Sequence, residues 1–81
     1  MMRGKFLGSK DHGEDAYRKK HLIEFDDGSF SVAYSPNDIE FKVGEAIDNE
    51  QGYWKSEEFG TFQLEAIRKM TFSDASAEFE K

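Results

Sequence analysis

Asp27-Gly28 lies between two runs of alternating apolar residues, and no other feature of the chain restricts the fold as strongly. Aspartate and glycine tolerate the positive φ that a two-residue type I′ turn requires at both central positions. Residues 17–35 therefore read as a β-hairpin that places Asp26 opposite Ser29, Phe25 opposite Phe30, Ile23 opposite Val32 and His21 opposite Tyr34. The period of two puts Phe25, Phe30, Ile23, Val32, His21 and Tyr34 on one core face. Leu22, Ala33, Glu24 and Ser31 fall on the other.

A chain of 81 residues forms one domain with a thin core. Disulfides cannot reinforce it, because there is no cysteine, and thiolate chemistry is excluded for the same reason. Eight Phe, three Tyr and one Trp supply the apolar bulk instead. No apolar run approaches the length of a membrane span, and the N-terminal stretch MMRGKFLGSK lacks the apolar centre of a signal peptide. These features predict a cytoplasmic protein.

Along the chain, residues 2–8 read as a first strand with Phe6 or Leu7 facing the core, and 9–16 as a loop. Pro36 ends the hairpin because it cannot donate to a ladder. Residues 36–38 then read as a turn or one helical turn. IEFKVGEAID alternates through Phe41 and Val43 until Gly44 forces a bend, with a strand at 45–49 and a turn at 49–52. Tyr53-Trp54-Lys55 is extended and 56–60 is a loop. Residues 61–72 read first as a long strand, since Phe62, Leu64, Ala66, Met70 and Phe72 keep a period of two, and alternatively as a helix, since QLEAIRKM holds good helix formers. The domain spans 1–72, and 73–81 form a flexible polar tail or a short helix.

Short strands between turns predict a mainly-β fold, a partly open five-stranded barrel in which closure protects the edges. The hairpin HLIEFDDGSFSVAYS, the stretch FKVGEAI and the closing FGTFQLEAIRKM resemble small OB-fold or SH3-like barrel proteins, including bacteriophage-encoded ones. That resemblance implies a binding module, often for single-stranded nucleic acid.

The sequence proposes no set of nucleophile, base and orienting group, so it is read as non-enzymatic. His21 lies on the apolar face, and His12 lies in a polar loop beside Asp11. Neither Asp26-Asp27, Asp48-Asn49-Glu50 nor Glu57-Glu58 has the ligand spacing of a calcium loop. No metal and no cofactor is expected.

Charge is the stronger functional signal. Residues 1–22 carry six Lys and Arg against three Asp and Glu, residues 23–67 two against eleven, and residues 68–81 three against three, giving the net −6. The acidic middle predicts that Asp26, Asp27, Asp38, Glu40, Glu45, Asp48, Glu50, Glu57 and Glu58, with Tyr53 and Trp54 as aromatic anchors, bind a basic protein that itself holds DNA. Such a surface is similar to that of small acidic phage inhibitors that mimic DNA. The alternative is direct single-strand binding by Lys5, Arg18, Lys20, Tyr34 and Trp54, combining cations with stacking. A homodimer is a further partner class, reasonable for so thin a core.

Overall fold

The computed structural model describes residues 2–11, 18–36, 41–50, 53–57, 60–64 and 68–81, Glu50 by its backbone only. The elements are β1 (Met2–Asp11), β2 (Arg18–Phe25), β3 (Phe30–Pro36), β4 (Ala46–Glu50), β5 (Tyr53–Ser56), β6 (Gly60–Phe62) and α1 (Phe72–Glu80). The strands form one antiparallel half-barrel in the order β3-β2-β1-β4-β5-β6. This is the expected mainly-β, partly open architecture, with a short C-terminal helix and, among the described residues, six strands where the turn pattern suggested five.

The hairpin is present, but its register differs from the expected one by one residue. His21 pairs with Ala33, Leu22 with Val32 and Glu24 with Phe30. The cause is the turn. Gly28 N–H donates to the Phe25 carbonyl at 3.0 Å and Phe25 N–H to the Ser29 carbonyl at 2.8 Å, so the loop holds three residues, Asp26 to Gly28. Gly28 takes φ 88°, the left-handed position that a three-residue hairpin loop needs. Asp27 Oδ1 accepts from Ser29 N–H at 3.0 Å and from the Ser29 hydroxyl, which fixes the corner. A one-residue slip turns one strand over relative to the other. Ser31, Ala33 and Ser35 therefore join His21, Ile23 and Phe25 on the core face, whereas Phe30, Val32 and Tyr34 face outward beside Leu22 and Lys20.

Phe6, Ile23, Phe25, Ala33, Phe41, Ile47, Trp54 and Phe62 form the core. Phe6 stacks on Phe41 with ring centroids 4.0 Å apart, and Phe41 meets Phe62 at 4.7 Å. β1 bulges between Phe6 and Gly8. Gly4 is required by space, since a Cβ there would lie 2.7 Å from the Glu24 carbonyl oxygen. Gly44 makes the expected bend at φ 89°. Phe41 is buried as expected, but Val43 sits in the turn and is 75% exposed.

Residues 61–72 do not make one long strand. β6 ends at Phe62, and Met70 forms an isolated bridge to Phe30. The helix then starts at Phe72, because the Thr71 hydroxyl accepts the Asp74 N–H at 3.1 Å and caps it. A nine-residue helix is marginal alone; this one is held by the sheet. Ala75 is fully buried, and the Phe72 ring meets Phe30 at 5.1 Å. No helix among the described residues is long and apolar enough to cross a membrane.

Candidate functional site

Alternation decides which side chains reach the outer face of the sheet. In β1, Gly4 and Phe6 point into the core, so Arg3 and Lys5 point out; beyond the bulge Gly8 and Lys10 point out. β2 adds Arg18, Lys20, Leu22 and Glu24, and β3 adds Phe30, Val32 and Tyr34. On the other side Arg3 pairs with Asp48, which pairs with Lys55, and Tyr53 is next to it on the same face. The outer face of β1 and β2 thus carries five cations, Arg3, Lys5, Lys10, Arg18 and Lys20, against the single carboxylate of Glu24.

This face has two halves. Over β1, β4 and β5 it is open. Arg3 approaches Asp48 at 2.9 Å and Lys5 approaches Glu24 at 3.4 Å, with the two cationic side chains 63% and 53% exposed. Tyr53 is 55% exposed. Exposed pairs of this kind are weak and exchange readily for other charges. A groove of about 570 Å³ runs along this half, lined by Arg3, Lys42 and Lys55 together with Glu45, Asp48 and Glu57. Glu45 accepts the Lys42 N–H at 3.1 Å through one carboxylate oxygen.

The other half, over β2 and β3, lies beneath α1. Lys20 is 4% exposed, and its ammonium donates to the main-chain oxygens of Glu78 at 3.4 Å and Lys81 at 2.5 Å. It acts as the C-terminal cap that α1 lacks in its own last turn. The Tyr34 hydroxyl donates to Glu78 Oε1 at 3.0 Å. Burial and then that carboxylate raise the Tyr34 pKa, and the same bond, with Lys81, lowers that of Glu78. The Lys10 ammonium lies 4.9 Å from the centroid of the Phe79 ring.

Of the residues expected to bind a single strand, Lys5, Arg18, Lys20 and Tyr34 therefore share one face. Trp54 does not: it is 5% exposed, with its ring 6.2 Å from Phe25 in the core. Arg3, Lys10 and Lys55 were missed by the sequence reading, although the alternation of Arg3 and Lys5 with Gly4 and Phe6 marks two of the outward cations.

The expected acidic set is less unified. Asp26 and Asp27 occupy the hairpin corner, where the Lys69 ammonium, then Ser29, hold the Asp27 carboxyl below the usual range. Glu45, Asp48 and Glu57 line the groove, interleaved with cations. Asp38, Glu40 and Glu58 lie outside the described residues, as do His12 and the side chain of Glu50. Six carboxylates, Glu14, Asp15, Asp38, Glu40, Glu58 and Glu65, belong to segments outside that set, and they equal the whole net charge of −6. The described scaffold is thus charge-balanced.

His21 is fully buried against the stacked Phe6 and Phe41 rings, which it meets edge-on at 5.5 and 5.0 Å. Ser9 Oγ lies 2.6 Å from its Nδ1 and Ser35 Oγ 2.6 Å from its Nε2. Ser35 donates its proton to the Pro36 carbonyl at 3.1 Å. Its oxygen therefore accepts from Nε2–H, and Nδ1 accepts from the Ser9 hydroxyl. Burial, with a smaller push from Lys19, lowers the pKa to about 4, so the ring is neutral and ties three strand segments together. Among the described residues no three His, Cys, Asp or Glu side chains are grouped to hold a metal ion. No family model, no curated protein and no solved structure matches the chain.

Proposed function

We propose that the protein is a non-enzymatic, cytoplasmic binding module whose outer sheet face takes single-stranded nucleic acid. One observation carries this reading: Arg3, Lys5 and Lys55 share an open sheet face with the exposed ring of Tyr53. Cations spaced along a sheet follow a phosphate backbone, while an exposed aromatic ring stacks on a base of any sequence. The resemblance to OB-type barrels points the same way. A titration of the whole protein with a labelled oligonucleotide tests it, and binding should weaken with salt and on Tyr53→Ala substitution.

A second reading rests on the surplus charge. All six excess carboxylates fall in four short sequence segments, 12–17, 37–40, 58–59 and 65–67, and the described residues are charge-balanced. Together with Asp26 and Asp27 at the hairpin corner they would engage a basic protein, a DNA-binding one included, with fast and salt-sensitive association. Reversal of Asp38, Glu40 and Glu58 to Lys should abolish that contact, and unchanged capture of a basic DNA-binding protein would exclude it.

A further inference from the structure

The geometry points to a second, covered half of the binding face, on which α1 stands in for the polyanion. This inference rests on the single-strand reading and extends its footprint across β2 and β3.

Three observations converge. First, the row Lys10–Lys20–Tyr34 crosses β1, β2 and β3 on the outer face, with Arg18 one step along the same strand. Three cations and a phenol ring in one patch have the composition of the open half. Second, the cover is chemically a substitute for nucleic acid. α1 and the residue after it carry Asp74, Glu78 and Glu80 against Lys81. Tyr34 donates to the Glu78 carboxylate, Lys20 to main-chain oxygens at the helix end, and Lys10 sits against the Phe79 ring. Carboxylate, carbonyl and aromatic ring thus occupy positions suited to phosphate oxygens and a base. Third, the cover buries little of its own apolar surface. The helix has nine residues, Ala75 alone among them is buried, and Phe72 at its start is 54% exposed.

A strand that reached Lys10, Lys20 and Tyr34 would replace those contacts with phosphate oxygens and a base, leaving no buried ammonium unpaired. The affinity read for the whole protein is then the intrinsic affinity scaled by the fraction of molecules with α1 undocked.

The test uses the full-length chain. Ala75→Glu places a charge where the helix meets the sheet and releases it, while adding negative charge that on its own weakens polyanion binding. Unchanged Trp54 emission checks that the core persists. The expected result is oligonucleotide binding at least about tenfold tighter than wild type at the same salt. Hydrogen exchange on the unmodified protein supplies the second reading, with amides 72–80 expected to exchange faster once the oligonucleotide is bound. Equal affinities with 72–80 still protected would overturn the covered half and leave the open half as the site. No binding by either protein would overturn both.

Discussion

Lys20 Nζ lies 2.5 Å from the main-chain oxygen of Lys81, a contact across 61 positions of sequence. It closes the helix onto the hairpin. The same ammonium reaches the Glu78 carbonyl, so a single side chain from β2 satisfies the end of α1. Lys20→Met keeps the aliphatic stem and removes the charge-assisted bonds, a loss of about 1.5–3 kcal/mol. Exchange of amides 72–80 should rise in that variant, with β1, β4 and β5 unaffected. Uniform protection throughout would show that the cap contributes nothing.

His21 sets a pH limit on the fold. Its folded pKa is near 4 and its ordinary value is 6.5, so the unfolded chain binds the proton more readily. Stability from this site is complete above pH 6.5 and is lost as pH falls from there through 4. The full loss is on the order of 3 kcal/mol, because each pH unit between the two values contributes about 1.4 kcal/mol. Denaturant midpoints of wild type and His21→Phe, compared at pH 7, 5 and 4, should converge as pH falls; a constant difference would contradict the buried neutral ring.

The three-residue corner fixes which residues oppose one another. Leu22 faces Val32 across a non-hydrogen-bonded position, where side chains are closest. Leu22→Cys with Val32→Cys should oxidise readily to a disulfide, whereas Ile23→Cys with Val32→Cys should not. The opposite preference would restore the two-residue turn.

Trp54 belongs to the core at 5% exposure. Its emission should be blue-shifted and poorly quenched by acrylamide, and Trp54→Ala should cost about 3–5 kcal/mol. A red-shifted, freely quenched tryptophan would place it on the surface. Gly4→Ala should also destabilise the fold, by about 1–3 kcal/mol, because its Cβ meets backbone.

The sequence carried the mainly-β class, the bend at Gly44 and the core positions of Ile23 and Phe25 through local rules, because turn residues and alternation are short-range signals. The hairpin register was not legible. Asp-Gly suits both a two- and a three-residue corner, and the choice reversed the faces of Phe30, Val32 and Tyr34. A short helix was one of two readings of 73–81, but its start was masked by the period-two apolar pattern running into Phe72, although Thr71 and Asp74 carry the spacing of an N-terminal cap. Half of the candidate face was legible: Lys5, Arg18, Lys20 and Tyr34 were singled out together. Its cover was not, because Lys20 meets Lys81 only through tertiary packing.

The most direct measurement is the anisotropy of a labelled, mixed-sequence single-stranded oligonucleotide titrated with the whole protein over a range of salt. Wild type should bind, with log affinity falling linearly with log salt. Replacing Arg3, Lys5 and Lys55 together by Gln should reduce that slope by about 2, since each neutralised phosphate contributes about 0.7 for a single strand. Absence of binding at low salt, or a slope and affinity untouched by the triple substitution, would contradict the basic face as the site.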